Sequence, residues 1–256
     1  MDKGVIYVAT GPDYRALAEA SARSLRAVEP ELAVDLFTDD PGAAAPGLFD
    51  AVHRIDDPHP RSKLDCMGAT RFARTLFLDA DTRVLAPLGD LFDVLERFDL
   101  ALAHDVRRAS ALIRAGHEVA TPYAFPQLNS GVVLYRRSPV MLGFLAEWAR
   151  RFGESGATRD QPVLRDMLWQ SDLRFWVLPP EFNLRRVTML DAWEPEDAVP
   201  TVLHSHRLMD HMRGAGPRIN DVAALVDQER AALKAEWDAV GGRDSDPVAR
   251  FLKPRP

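Results

Sequence analysis

The chain has 256 residues, 46% hydrophobic and 27% charged, with a formal net charge of −6. That length and apolar content support a full hydrophobic core and exclude a disordered chain. The negative balance excludes broad electrostatic binding to nucleic acid, so an anionic ligand would need local cations or a metal.

A single cysteine, Cys66, excludes an intrachain disulfide and a cysteine-rich zinc module. The first residues carry no apolar signal-peptide run, and no stretch approaches the ~18 apolar residues of a membrane span. These features predict a protein of the cytoplasm, free or at the inner face of a membrane.

Residues 5–9 form a short β-branched run, a buried strand that turns at Thr10-Gly11-Pro12. Asp13 is placed to cap a helix carrying Tyr14, Leu17, Ala18, Ser21, Leu25 and Val28, and Pro30 stops it. Strands follow at 34–38 and 52–55, a helix over 62–71, a strand at 74–78, a short helix over 90–98 and a strand at 100–103. This alternation predicts βαβ units in a mixed, mainly parallel sheet flanked by helices. Residues 107–127 fit a helix or a loop. A strand is expected at 131–135, and Ser138-Pro139 opens a helix to about residue 152. A helix at 160–169 and strands at 175–178 and 202–204 come next. A late helix has Ile219, Val222, Val226, Leu233, Trp237 and Val240 on one face. Residues 1–216 are expected as one domain and 217–256 as a C-terminal helix and tail.

Asp79 and Asp81 end the apolar strand 74–78. Side chains two apart share a strand face, and two carboxylates forced together repel unless a cation lies between them. Parallel α/β sheets bind ligands beyond the carboxyl ends of their strands. The pair therefore reads as a divalent-metal site facing a ligand; the alternative is a solvated acidic turn. Leu78-Asp79-Ala80-Asp81-Thr82 also matches the nucleophile motif of haloacid-dehalogenase-like phosphatases. Those enzymes need a downstream lysine, and here only Lys234 and Lys253 follow, both near the tail.

Further segments agree in order. They are Val8-Ala9-Thr10 followed by Tyr14, Lys63 sixteen positions before Asp79, Ala103-His104-Asp105, Asn129-Ser130-Gly131-Val132, Asp160-Gln161 and Val202-Leu203-His204. Together, over residues 5–204, they resemble glycosyltransferase family 8, the nucleotide-sugar enzymes that include glycogenin and bacterial galactosyltransferases. The resemblance implies an α/β GT-A (Rossmann-like) fold. It implies transfer of a sugar from a nucleotide-diphosphate sugar, UDP first, with retention, to a hydroxyl acceptor that is a saccharide, a glycolipid or a small molecule. It implies Asp79, Asp81 and His204 as ligands of a divalent metal. Mixed carboxylate and imidazole ligation favours Mn²⁺, with Mg²⁺ as the substitute. It further implies Lys63 at the donor phosphate or sugar, and Asn129 and Asp105 on sugar hydroxyls. Asp160 would fix the sugar, Gln161 would lie near the anomeric carbon, Asp79 would also reach the ribose, and Ala9, Thr10 and Tyr14 would line the base.

Each residue also has a plainer reading. His204 fits a hydrogen-bonded core histidine, Asn129 to Gly131 a turn into a strand, and Asp160 a helix cap. Lys63 fits a solvated cation and Tyr14 a core residue, while the tryptophans fit core or pocket wall. The sequence also departs from the family. Asp210 stands where a lysine usually follows the histidine by six positions, and Gly11-Pro12 replaces an acidic residue near the base. Arg207 and Arg213 are the nearest substitute cations, and Gly214 and Gly216 flank a stretch able to swing Arg213 inward. Residues 206–216 are therefore expected to form a lid, with Arg213 ahead of Arg207. The altered motif keeps a second reading open, a catalytically silent nucleotide-sugar-binding protein of the same fold.

Overall fold

Strand order in the central sheet decides which residues share its ligand-facing end. The computed structural model of the chain describes residues 1–106 and 118–242. Its strands are β1 (Lys3–Val8), β2 (Ala33–Thr38), β3 (Ala51–Arg54), β4 (Arg74–Leu78), β5 (Thr82–Val84), β6 (Leu100–His104), β7 (Leu128–Arg136), β8 (Phe175–Leu178) and β9 (Val202–His204). Its helices are α1 (Gly11–Val28), α2 (Lys63–Cys66), α3 (Pro139–Ser155), α4 (Gln161–Gln170) and α5 (Val222–Ala239). Among the described residues, seven strands form one sheet in the order β3-β2-β1-β4-β7-β6-β8. β7 runs antiparallel to β4 and β6, and the other pairs are parallel. The expected mixed, mainly parallel sheet with flanking helices is present. β5 and β9 form a separate antiparallel pair in which Thr82 faces His204.

The chain divides into two compact units. One is Met1–Arg185 with Asp197–Ser205; the other is Arg186–Glu196 with the chain from His206 onward. The first holds the sheet and every predicted site residue except Arg213.

The central strands are buried on both faces, as interior strands of a parallel sheet must be, which is why they read as continuous apolar runs. Ile6, Phe77 and Val133 pack with Met141, Phe144 and Trp148 of α3 and Leu164 and Leu168 of α4. On the opposite face Tyr7 Oη lies 3.0 Å from Ser21 Oγ of α1. Ser138 caps α3 by accepting the Met141 N–H at 3.2 Å, as its sequence predicts.

Several elements differ from expectation for local reasons. α1 begins at Gly11, with Thr10 rather than Asp13 at the N-cap. Gly11 takes φ +77 and donates its N–H to Asp39 Oδ1 at 3.0 Å, and Pro12 has no N–H to satisfy, so no cap from Asp13 is needed. The helix expected over 62–71 is the short α2 and a 3-10 turn, Met67–Ala69. It stops at Thr70, which is extended and whose Oγ1 accepts the Phe72 N–H at 3.2 Å. The helix expected over 90–98 is a 3-10 segment, Leu91–Glu96. β7 starts at Leu128, so Asn129, Ser130 and Gly131 lie within a strand and not in a turn. Of the ambiguous stretch 107–127, residues 107–117 lie outside the described residues and 118–127 form neither helix nor strand. Trp148 is core, but Trp169 and Trp176 are exposed; Trp169 meets Phe125 edge-on and Trp176 lies tilted against Phe98.

In the second unit, Asp221 caps α5 by accepting the Ala224 N–H at 2.8 Å. Leu225 is its buried anchor, Val222, Val226, Leu233 and Trp237 are half-buried, and Val240 is exposed. The tail from 243 lies outside the described residues. Among the described residues, no helix is long and apolar enough to cross a membrane.

Candidate metal and donor site

β4 delivers the two carboxylates. Past its end, the Asp79 N–H donates to Gly131 O of β7 at 2.7 Å, and Thr82 Oγ1 donates to Asp79 O at 2.8 Å. Thr82 Oγ1 is also 2.7 Å from Ser21 Oγ, which ties the turn to α1. The β5–β9 register then sets His204 against the turn, where the Ser205 N–H donates to Asp81 O at 3.1 Å. As a result one ligating atom each from Asp79, Asp81 and His204 lie within 4.8 Å of one another. His204 Nε2 is 3.2 Å from Asp81 Oδ1 and 4.0 Å from Asp79 Oδ2. His204 and Asp81 are buried, while the Asp79 side chain is 29% exposed and forms the open side of the cluster. His204 is hydrogen-bonded and buried, as the plainer reading has it, yet its second nitrogen faces two carboxylates.

Gly131 explains itself by distance. A Cβ there would lie 2.0 Å from His204 Cε1 and 2.8 Å from Asp79 Oδ2. Only a bare Cα lets the histidine and the aspartate meet over β7.

Lys63 is not a solvated cation. Its side chain is 11% exposed, and Nζ lies 3.3 Å from Asp79 Oδ1 and 3.4 Å from Asp160 Oδ2, and donates to Ser130 O at 3.1 Å. Ser130 Oγ donates to Asp160 Oδ2 at 2.6 Å. Asp160 occupies the N-cap position of α4, but its side chain makes no capping bond; it is turned to Lys63 and Ser130 instead. Trp148 Nε1 donates to Asp160 O at 3.0 Å and anchors that turn from the core.

The charges sort accordingly. Burial pushes Asp160 up, but Lys63 and the Ser130 hydroxyl outweigh it and hold the carboxyl below its ordinary value. Burial likewise opposes the Lys63 charge, and Asp160 with Asp79 outweighs it, so the ammonium is kept. Asp81 is held low against burial by His204 and by Arg185. Asp79 goes the other way: burial raises it, Lys63 opposes, and the neighbouring Asp81 adds to the rise. The outer carboxylate of the pair is thus the one short of positive charge.

A hydrogen-bonded row joins this cluster to Asp105, Asn129 and Gln161. Gln161 Nε2 donates to Asp105 Oδ2 at 2.8 Å, and Asn129 Nδ2 to Gln161 Oε1 at 3.4 Å. Asn183 Nδ2 donates to Asn129 Oδ1 at 3.0 Å, and Asn183 Oδ1 is 3.0 Å from His204 Nδ1. Lys63, Asp79, Asp81, Asp105, Asn129, Asp160, Gln161 and His204 are therefore one connected polar group. Ala9 and Thr10 follow β1, whose Tyr7 pairs with Leu78, so they sit at the same sheet end as Asp79. Tyr14 is 42% exposed on α1 and is no core residue. Arg213 lies in the second unit, exposed, at the end of a 3-10 helix, His206–Arg213. Arg207 in that helix is engaged by Glu229 at 2.9 Å and Asp210 at 3.6 Å.

Sequence reasoning missed three groups. Asn183 follows a 3-10 turn, Pro180–Phe182, where no pattern marks it. Arg61, 3.6 Å from Asp160, looked like any surface arginine. Arg185 stands beside Arg186 with no motif around it, yet its Nε is buried without a hydrogen-bond partner.

No protein-family model and no curated protein sequence matches the chain. Solved structures do. The glycosyltransferase GlyE of Streptococcus pneumoniae matches with a TM-score of 0.56 at 18% identity, over 80% of this chain and 54% of that one. The galactosyltransferase LgtC, solved with donor and acceptor sugar analogs, matches with a TM-score of 0.56 at 17% identity, over 80% and 87%. Mouse xyloside xylosyltransferase 1 matches with a TM-score of 0.50 at 15% identity, over 80% and 98%. The chain thus spans about half the length of GlyE and most of the other two. At these identities the likeness defines the fold: this is the GT-A architecture of glycosyltransferases.

Proposed function

We propose that the chain is a metal-dependent glycosyltransferase that moves a sugar from a nucleotide-diphosphate sugar, UDP-sugar first, to a hydroxyl acceptor with retention. The observation that carries this reading is the meeting of Asp79, Asp81 and His204 at the carboxyl end of the sheet, within 4.8 Å. Two carboxylates and an imidazole make a donor set suited to Mn²⁺ or Mg²⁺. They leave Asp79 short of positive charge, so the residues fit a divalent cation. When bound, such a metal neutralises charge on the departing diphosphate as a Lewis acid.

The chain's own residues supply the rest. Lys63, kept charged between Asp79 and Asp160, offers a fixed positive group to the donor phosphate or sugar. Asp160, kept anionic, is an acceptor for a sugar hydroxyl. Gln161 is held by Asp105 and Asn129 at the wall assigned to the anomeric carbon. Asn129 and Asp105 are assigned to sugar hydroxyls, and Ala9, Thr10 and Tyr14 to the base. For the positive group that the replaced lysine would supply we keep Arg213, with residues 206–216 as a lid. Arg185 competes with it because its Nε lacks a partner. We assign catalysis to residues 1–216 and place the protein in the cytoplasm or at the inner face of a membrane.

The test is a panel of nucleotide sugars with Mn²⁺, read for release of the nucleoside diphosphate. Turnover of one UDP-sugar that stops with chelator supports the reading. Metal-dependent nucleotide binding without turnover of any donor or transfer to any acceptor supports the silent binding protein instead.

A further inference from the structure

His204 has two nitrogens, and only one faces the carboxylates. Which nitrogen carries the proton is decided on the other side of the ring, and the hydrogen bonds there are anchored at a backbone group. The Gly131 N–H can only donate, and it donates to Asn129 Oδ1 at 3.0 Å. That fixes the Asn129 amide with its oxygen inward. Asn183 must then present Nδ2 to the same oxygen, at 3.0 Å, so Asn183 Oδ1 is the atom 3.0 Å from His204 Nδ1. An amide oxygen can only accept, so Nδ1 carries the hydrogen. The far end of the row agrees: the Asp105 carboxylate takes Gln161 Nε2 at 2.8 Å and leaves Gln161 Oε1 facing Asn129 Nδ2.

Asn183 is itself held. It is 2% exposed, the next residue bridges to Leu203, and the His204 N–H donates to Leu184 O at 3.1 Å. The asparagine and the histidine thus sit in fixed mutual register. With Nδ1 protonated, the lone pair of the neutral ring is on Nε2, the nitrogen 3.2 Å from Asp81 and 4.0 Å from Asp79.

We propose that Asn183 is the positioning residue of the metal centre: its side-chain oxygen fixes the tautomer and the plane of His204, so that Nε2 is presented to the cation. The inference rests on the metal reading given above. A partner on the distal nitrogen of a ligating histidine typically changes metal affinity by about 10–100-fold.

The experiment is Mn²⁺ binding followed by electron paramagnetic resonance, without nucleotide, on wild type, Asn183→Leu and Asn183→Asp. Leucine removes the acceptor; aspartate keeps an oxygen for Nδ1 while losing the donor to Asn129. The expected result is Mn²⁺ affinity at least about tenfold weaker in Asn183→Leu and retained within a few-fold in Asn183→Asp. Wild-type affinity in Asn183→Leu overturns the proposal and leaves the metal reading standing. Equal loss in both variants also overturns it, because the effect then runs through Asn129. A wild type that binds no Mn²⁺ overturns both. Should Asn183→Leu fail to fold, nitrogen NMR of the wild type loaded with cadmium, a diamagnetic substitute, decides. Metal coupling to Nε2 with hydrogen on Nδ1 is expected, and the reverse arrangement overturns the proposal.

Discussion

Two clusters are built from aspartate, histidine and a basic residue, and they are satisfied to different degrees. Beside the edge strand β3, Asp35 of β2 is buried and accepts Arg71 Nε at 2.7 Å and a second guanidinium nitrogen at 2.9 Å, with His53 Nε2 at 3.2 Å. One anion meets a bidentate cation and its charge is answered within the fold. At the centre, Asp79 and Asp81 face a single imidazole nitrogen. Lys63, 3.3 Å from Asp79, is shared with Asp160. The first cluster is complete as built; the second is left short of positive charge, the shortfall that the proposed cation would fill.

Exchanging one charge in each cluster should give opposite outcomes. Asp79→Asn is expected to weaken Mn²⁺ binding and turnover by more than ~100-fold, since a ligand counts for more than its supporting partner. The metal-free protein should melt at the wild-type temperature or above, because the Asp79 charge is already disfavoured there. Asp35→Asn should leave Mn²⁺ affinity unchanged and cost about 1–3 kcal/mol of stability through the broken pair with Arg71. Denaturant melts with and without metal separate the two.

Gly131→Ala comes next in size. The added methyl is expected to push His204 off the pair, with Mn²⁺ affinity falling at least about tenfold and stability by about 1–3 kcal/mol. Manganese titration beside a urea melt checks both.

A pH series on the metal-free protein sharpens the Lys63–Asp160 contact. Asp160 is depressed in the folded state, so its contribution is full above the ordinary aspartate value of ~3.9 and is lost as pH falls through the lower folded value. Lys63 is raised, so its share persists until pH climbs through a value above ~10.4. Lys63→Met should shift the acid limb of the stability curve to higher pH and remove the alkaline one. Curves that superimpose on wild type would break the assignment.

The smallest effects belong to the second unit. Arg213→Ala should lower UDP affinity a few-fold with unchanged stability. Arg207→Ala should instead cost up to about 1 kcal/mol through its contacts with Glu229 and Asp210. Wild-type UDP affinity in both variants, with loss in Arg185→Ala, would move the phosphate contact to Arg185.

The sequence made the strands readable because burial on both faces writes them as unbroken apolar runs; β4 falls at the expected residues 74–78. The acidic pair at its end was legible for the same reason, and the resemblance supplied Lys63, Asn129, Asp160 and His204. What was hidden depends on contacts far apart in the chain. Asn183 meets His204 only through the pairing around β9, and the Gly131 requirement arises where β7 passes under that histidine. The start of α1 was misplaced because Asp39, 28 positions on, takes the Gly11 N–H. Asp160 looked like a cap because it occupies a cap position, and only Lys63 and Ser130 turn its carboxylate elsewhere.

The central claim is that the acidic pair and His204 hold a cation that the nucleotide needs. Calorimetric titration of the wild type with UDP, in saturating Mn²⁺ and again in excess EDTA, tests it most directly. The account predicts binding in Mn²⁺ and at least a hundredfold loss in EDTA, on the order of 2.7 kcal/mol. Equal UDP affinity in the two buffers would contradict it.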